Sequence, residues 1–108
     1  MCGGRDYSDD NFLTNTLDAI HGDTPITMLI HGNAPGADTL AGKWSIGRCI
    51  PTLAVPANWV ALGKAAGPTR NAAMLQFKPH LVVAFPGGVG TDDMISKARG
   101  AAIPVYKL

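Results

Sequence analysis

Apolar positions along the chain follow two alternating rhythms. Short continuous runs at Ile26 to Ile30 (ITMLI), Thr52 to Val55 (TLAV), Leu81 to Phe85 (LVVAF) and Ile103 to Tyr106 (IPVY) are rich in aliphatic and β-branched residues, as strands buried on both faces are. Pro104 marks the last as an edge strand, because proline gives the ladder no N–H. Between these runs the apolar residues recur at helical spacing. Asp9 to His21 follows a Ser8 or Asp9 cap, presents Phe12, Leu13, Leu17 and Ile20 inward, and stops at Gly22. Gly36 to Ile46 places Ala37, Leu40, Ala41 and Trp44 on one face. A third helix opens at Pro68 and carries Ala73, Met74 and Phe77 inward, and Thr91 to Arg99 forms a fourth with Met94, Ile95 and Ala98 inward and Gly100 ending it. Strands alternating with helices predict an α/β fold with a parallel sheet of four main strands.

Length and charge narrow the class. The 108 residues suffice for one domain around a single core. No apolar run approaches the roughly 18 residues of a membrane span, and the N-terminus lacks the basic-then-apolar order of a secretory signal, so a cytoplasmic location is expected. Cys2 and Cys49 form no Cys-x-x-Cys pair and read as free thiols. Nine Lys and Arg against eight acids, all of them Asp, leave a net charge of +1. No basic stripe is available to track a phosphate backbone, which argues against duplex nucleic acid as partner. The histidines are scattered, only His31 opening onto a glycine loop, and no metal-ligand spacing exists.

Glycine placement carries the candidate chemistry. Nine of the 13 glycines fall in four loops: CGGRD at residues 2 to 6, HGNAPG at 31 to 36, LGKAAG at 62 to 67 and PGGVG at 86 to 90. Three of these stand at strand-to-helix junctions, which share one edge of a parallel sheet. Gly3, Gly4, Gly32, Gly87, Gly88 and Gly90, with Pro86, therefore converge. Glycine lets backbone N–H groups approach an anion, and each following helix adds the positive end of its dipole. The loops predict a crevice for a phosphorylated small molecule.

Arg70, in GPTRNAAM, lies in the first turn of a helix, where the dipole disfavours a cation. Either a bidentate phosphate contact or a salt bridge to an aspartate repays that placement. Arg5 has the same two readings, and Lys64 reads as solvated. Trp44 belongs to the core by its spacing. Trp59, in PANWVALG, either caps the core or stacks on a base or sugar, and Tyr7 either packs inward or stacks.

The stretches GGRDYSD, HGNAPGAD, PANWVALGKAAGPTRNAAML and FPGGVGT occur in an order and spacing that resembles the YspA-like branch of the SLOG superfamily. These Rossmann-like domains are related to the Lonely Guy phosphoribohydrolases and to DprA. The resemblance spans nearly the whole chain. It implies a three-layer Rossmann-like sandwich, a nucleotide-derived ligand at the glycine edge, no further cofactor, and self-association as a homodimer. It also implies that phosphate meets the N–H groups of Gly87 to Thr91 and the Arg70 guanidinium. Thr91 would donate its hydroxyl, while Asp6, Asp38 and Asn71 orient sugar hydroxyls or neighbouring side chains.

Two departures from the family pattern are informative. Lonely Guy enzymes carry Pro-Gly-Gly-x-Gly-Thr-x-x-Glu, and the Glu position here is Met94. A thioether neither stabilises an oxocarbenium ion nor handles a proton. Asp93 is one residue away, turned about 100° along a helix, and Asp6, Asp38 or Asp92 are the other carboxylates at hand. Binding without efficient turnover is the expectation. Hydrolysis of an N-glycosidic bond is the alternative, with Asp6, Arg70 and Asp93 as candidate catalytic residues. The family's first apolar strand is also missing: only Met1 and Cys2 precede the Gly-Gly-Arg-Asp motif, so a stub of that strand is expected.

Overall fold

The computed structural model describes residues 1–108. Its elements run α1 (Asp10–Asp23), β1 (Leu29–His31), α2 (Ala37–Gly47), β2 (Thr52–Ala54), α3 (Trp59–Leu62), a 3₁₀ turn (Gly63–Ala65), α4 (Ala66–Leu75), β3 (Val82–Ala84), α5 (Val89–Gly100) and β4 (Val105–Lys107). No helix is long and apolar enough to cross a membrane.

The four strands do not form one continuous sheet, which corrects the four-stranded sandwich expected from the sequence. β1 pairs with β2 in parallel, Leu29 opposite Thr52 and His31 opposite Ala54. β3 pairs with β4 in parallel, Val82 opposite Val105 and Ala84 opposite Lys107. The N-terminal residues lie between the two pairs. The Met1 amine donates to the Ile30 carbonyl at 2.7 Å, Cys2 N–H donates to Val83 O at 2.9 Å and Phe85 N–H to Cys2 O at 2.9 Å. The ladder to β3 is a single bridge, Cys2 with Ala84.

Strand alternation still places helices on both faces. Val83 and Phe85 enter a cluster with Leu13, Leu17, Leu29, Ala37, Ala41, Trp44 and Ile50, from α1, α2 and their surroundings. Val82 and Ala84 point the other way, into a cluster with Cys2, Met74, Met94, Ile95 and Ala98 from α4 and α5. Neighbouring residues of β3 thus serve two cores because successive side chains leave opposite faces of a strand.

Several boundaries move for local reasons. Ile26 N–H donates to His21 Nδ1 at 2.8 Å, which draws it out of the ladder, and pairing starts three residues later at Leu29. β4 starts at Val105, since Pro104 offers only its carbonyl, which accepts from Val82 N–H at 2.9 Å. α4 begins at Ala66, two residues before Pro68; a proline within the first turn removes an N–H that has no intrahelical partner. That helix ends at Leu75, so Phe77 falls in the following turn and is 57% exposed instead of inward. Phe12 lies at the margin of the first core, 43% exposed but edge-on to the Phe85 ring at a centroid distance of 6.3 Å. The cap of α1 is Asp9, whose carboxylate accepts from Phe12 N–H at 3.1 Å.

Candidate functional site

An open cleft of about 270 Å³ lies where the N-terminal loop, the β1–α2 loop, the start of α4 and the β3–α5 loop meet. Of the residues expected from the sequence, Gly3, Gly4, Arg5, Asp6, Gly32, Asp38, Arg70, Asn71, Gly88, Gly90 and Thr91 line it. Pro86, Gly87, Trp59 and Asp93 do not. Met1, Cys2, Ala34, Met74 and Val89 complete the wall without having been singled out in the sequence. Helical spacing marks Met74 as apolar but not as the residue where a core face opens onto a cleft.

The glycines divide into two kinds. Gly4 N–H donates to Pro86 O at 2.9 Å, and Gly4 O accepts from Ala37 N–H at 3.1 Å, so the N-terminal loop is tied to both neighbours. A Cβ on Gly4 would lie 2.9 Å from Pro86 O, and one on Gly87 would lie 2.7 Å from Gly4 N. These two are small so that backbone can touch backbone. Gly88 and Gly90 face open space. They stand at the start of α5, where Gly88 is an N-cap with no side-chain hydrogen bond, and first-turn N–H groups have no intrahelical acceptor.

The β1–α2 loop is held by a buried carboxylate. Asp38 Oδ2 accepts from Gly32 N–H at 3.1 Å and from Ala34 N–H at 3.2 Å. Its neighbour His31 is also a structural residue. His31 Nδ1 accepts from Asn33 N–H at 3.0 Å, which requires that nitrogen unprotonated, and burial pushes the imidazole below its ordinary value. His31 packs over Gly42 of α2 and does not line the cleft.

Arg70 is the fifth residue of α4, beyond the first turn in which its sequence context placed it, because the helix begins ahead of Pro68 at Ala66, and its guanidinium is set by neutral acceptors. Its Nη1 donates to Gly32 O at 2.6 Å and its Nε to Asn71 Oδ1 at 3.0 Å. Asn71, 3% exposed, in turn donates to Gly90 O at 3.1 Å and to Asp93 Oδ2 at 3.0 Å. Lys97 closes the chain with an ion pair to Asp93 Oδ1. The two ion pairs of the molecule are Arg48–Asp18 and Lys97–Asp93. The salt bridge to an aspartate considered for Arg70 and Arg5 is therefore not formed, and neither guanidinium on the cleft is ion-paired.

Nucleophile and acid–base candidates fare differently. Burial pushes the Cys2 thiol up to about 11, so it stays protonated and inert at neutral pH. Burial raises Asp93 as well, but hydrogen bonds from Lys97 and Asn71 and the Lys97 charge outweigh it and hold the carboxyl below its usual range. Asp93 is thus a committed carboxylate facing α4 and its own helix. Asp6 is exposed on the cleft. Met94 is 2% exposed within the second core. The position of the Lonely Guy glutamate is here filled by a packing residue.

The aromatic expectations also separate. Tyr7 packs its ring 5.4 Å from Phe85 with its hydroxyl buried and unpartnered, on the core side of the loop. Trp59 does not cap the core: it is 48% exposed, and the Arg5 guanidinium lies 5.0 Å from its ring centroid.

With the loops and their spacing in view, comparison with known proteins is decisive for kinship. The profile of the family described as "YspA, cpYpsA-related SLOG family" matches residues 1–61, from the Gly-Gly-Arg-Asp loop through β1, α2 and β2. The chain belongs to this SLOG family. It is also 33% identical over 113 residues to the Gene 61 protein of Mycobacterium phage D29, a match covering 97% of this chain and 90% of that protein. No solved structure matches. The family match ends before Arg70 and the PGGVG loop, whereas the phage relative aligns with almost the full length.

Proposed function

We propose that this SLOG protein binds a phosphorylated, nucleotide-derived small molecule in the glycine-edge cleft and holds it without efficient turnover, as a sensor, carrier or sequestering protein. One observation carries the reading. The Arg70 guanidinium, held by two neutral acceptors and free of any carboxylate, shares a cleft with the uncapped start of α5. A cation and a helix N-terminus facing one open volume form a phosphate site in two halves. Thr91, buried on the third residue of α5, supplies a hydroxyl to the same group, and Asp6 faces the sugar. A cleft of about 270 Å³ lies just below the range of small-molecule sites, roughly 300 to 1,000 Å³, which suits a mononucleotide with part of its surface left in solvent.

Turnover is disfavoured because the family's glutamate position and the carboxylate beside it are both unable to move a proton. Met94 is in the core and Asp93 is ion-paired. Calorimetry with nucleoside monophosphates and ADP-ribose derivatives tests the binding half. Arg70→Ala is expected to lose about 2 to 5 kcal/mol, roughly thirty-fold or more in affinity, and unchanged affinity for the best ligand defeats the phosphate role. Incubation of the wild type with the same compounds tests the other half. Asp6 is the one cleft carboxylate with no hydrogen-bond donor, and it favours the second reading, an N-glycosidic hydrolase. Release of free base that disappears in Asp6→Asn would establish that reading.

A further inference from the structure

We infer that Arg5, backed by Trp59, is a planar platform for the base of a nucleotide, so that the cleft selects nucleotides over phosphorylated sugars. The inference rests on the phosphate site proposed above and assigns the other end of the same ligand. Arg5 lines the cleft and is exposed, with neither an ion pair nor a hydrogen bond to fix its guanidinium. It lies over the Trp59 indole instead, with Cζ 5.0 Å from the ring centroid. Trp59 itself is seated against the start of α4, where a Cβ on Gly67 would touch its Cη2 at 3.5 Å. Arg70 projects from that same helix. Platform and phosphate anchor are thus referred to one rigid element, with the platform on the rim of the cleft.

A guanidinium has two flat faces. With the Trp59 indole on one side of the Arg5 guanidinium, the opposite side is assigned to a second π-system, since bases stack on guanidinium planes as they do on aromatic rings. The Arg5 charge is retained in such a stack, and the electron-rich face of the indole holds it in place. A phosphate contact would use the edge of the guanidinium and would need no aromatic ring against its face. An arginine that lies over an indole and makes no hydrogen bond or ion pair is matched to a flat ligand. Trp59 is then a positioning residue acting through Arg5.

The experiment measures the four common nucleoside monophosphates and ribose 5-phosphate by calorimetry against the wild type, Arg5→Lys, Trp59→Ala and Trp59→Phe. At least one nucleotide should bind the wild type more tightly than ribose 5-phosphate by about five-fold or more, the size of one stacking contact. Arg5→Lys keeps the charge and removes the plane, so it should abolish that preference while leaving ribose 5-phosphate affinity within about two-fold. Trp59→Ala should act in the same direction, and Trp59→Phe should restore most of the preference. Unaltered ribose 5-phosphate binding in each variant shows that the fold is intact. The inference is overturned if no nucleotide exceeds ribose 5-phosphate, if Arg5→Lys preserves the preference, or if any of the three variants weakens both ligand types alike. Failure of the phosphate site is separately visible as ribose 5-phosphate binding that is absent or indifferent to Arg70→Ala.

Discussion

At the scale of single residues, the cleft depends on a contact between Gly32 and Arg70 that has no counterpart in the sequence pattern. A Cβ on Gly32 would overlap the Arg70 guanidinium, whose Nη1 donates to the Gly32 carbonyl. The overlapping atoms are the far end of a flexible side chain, so Gly32→Ala should spare the fold and displace the cation. We expect melting within a few degrees of the wild type and a loss of ligand affinity approaching that of Arg70→Ala; a variant that binds normally would show that Arg70 need not sit where it does. A second expectation concerns Asp93. Its folded pKa is depressed by Lys97 and Asn71 against the opposing effect of burial, so its stabilisation is present above the unfolded carboxylate value near 4 and disappears as pH falls through the lower folded value. Asp93→Asn should therefore be less stable by about 1 kcal/mol at neutral pH, with the gap narrowing below about pH 4 in denaturant titrations. A constant gap down to about pH 3 would mean that the ion pair does not act through charge. That the glycine loops meet at one cleft was legible because loops at strand ends share an edge; Arg70 lines that cleft too, but not for the reason expected, since α4 begins at Ala66 and Arg70 is its fifth residue, past the first turn. The Arg70–Asn71–Asp93–Lys97 chain and the Arg5–Trp59 stack were not legible. Each joins residues whose proximity is set by how α4, α5 and the N-terminal loop pack, and spacing along the chain says nothing of that.

At the scale of elements, hydrophobic rhythm placed every helix that packs on the strands and all four strands, and it failed where a local polar bond outranked it. Ile26 looked like strand but donates its N–H to His21. Phe77 looked like the inward end of a helix, yet α4 stops at Leu75 and Lys78 adopts a φ of 53° that turns the chain away. The two phenylalanines that periodicity treats alike therefore predict different energetics. Phe85 is 1% exposed at the centre of the first core and Phe77 is 57% exposed. Phe85→Ala should cost about 3 to 5 kcal/mol and Phe77→Ala no more than about 0.5 kcal/mol, as read from urea unfolding of each variant. Comparable losses would mean that the turn after α4 is buried in solution.

At the scale of the whole molecule, the question is whether two separate strand pairs make one folding unit. Backbone pairing between them is slight: one bridge at Cys2 and the Met1 bond to Ile30. A single continuous sheet was the expectation from alternating strands and helices, and two separate pairs are found instead. Side chains replace what the ladder lacks. β3 sends Val83 and Phe85 into the core with α1 and α2, and Val82 and Ala84 into the core with α4 and α5, so neither core can come apart without releasing the strand that belongs to the other. Leu17, 1% exposed, and Ile95, 6% exposed, sample the two cores from opposite faces. Leu17→Ala and Ile95→Ala should each remove about 2 to 5 kcal/mol and lower one common transition, with far-UV circular dichroism and calorimetry reporting the same midpoint. If Ile95→Ala instead split the melt, with α4 and α5 released ahead of α1 and α2, then β3 does not couple the cores. Ligand added to the wild type would then raise only one of the two transitions, although its cleft draws residues from both halves: Gly32 and Asp38 on the side of α2, Arg70 and Gly88 to Thr91 on the side of α4 and α5. A ligand spanning that division stabilises only the state in which both halves are folded, so a single ligand-shifted transition is the outcome that agrees with both the packing and the site.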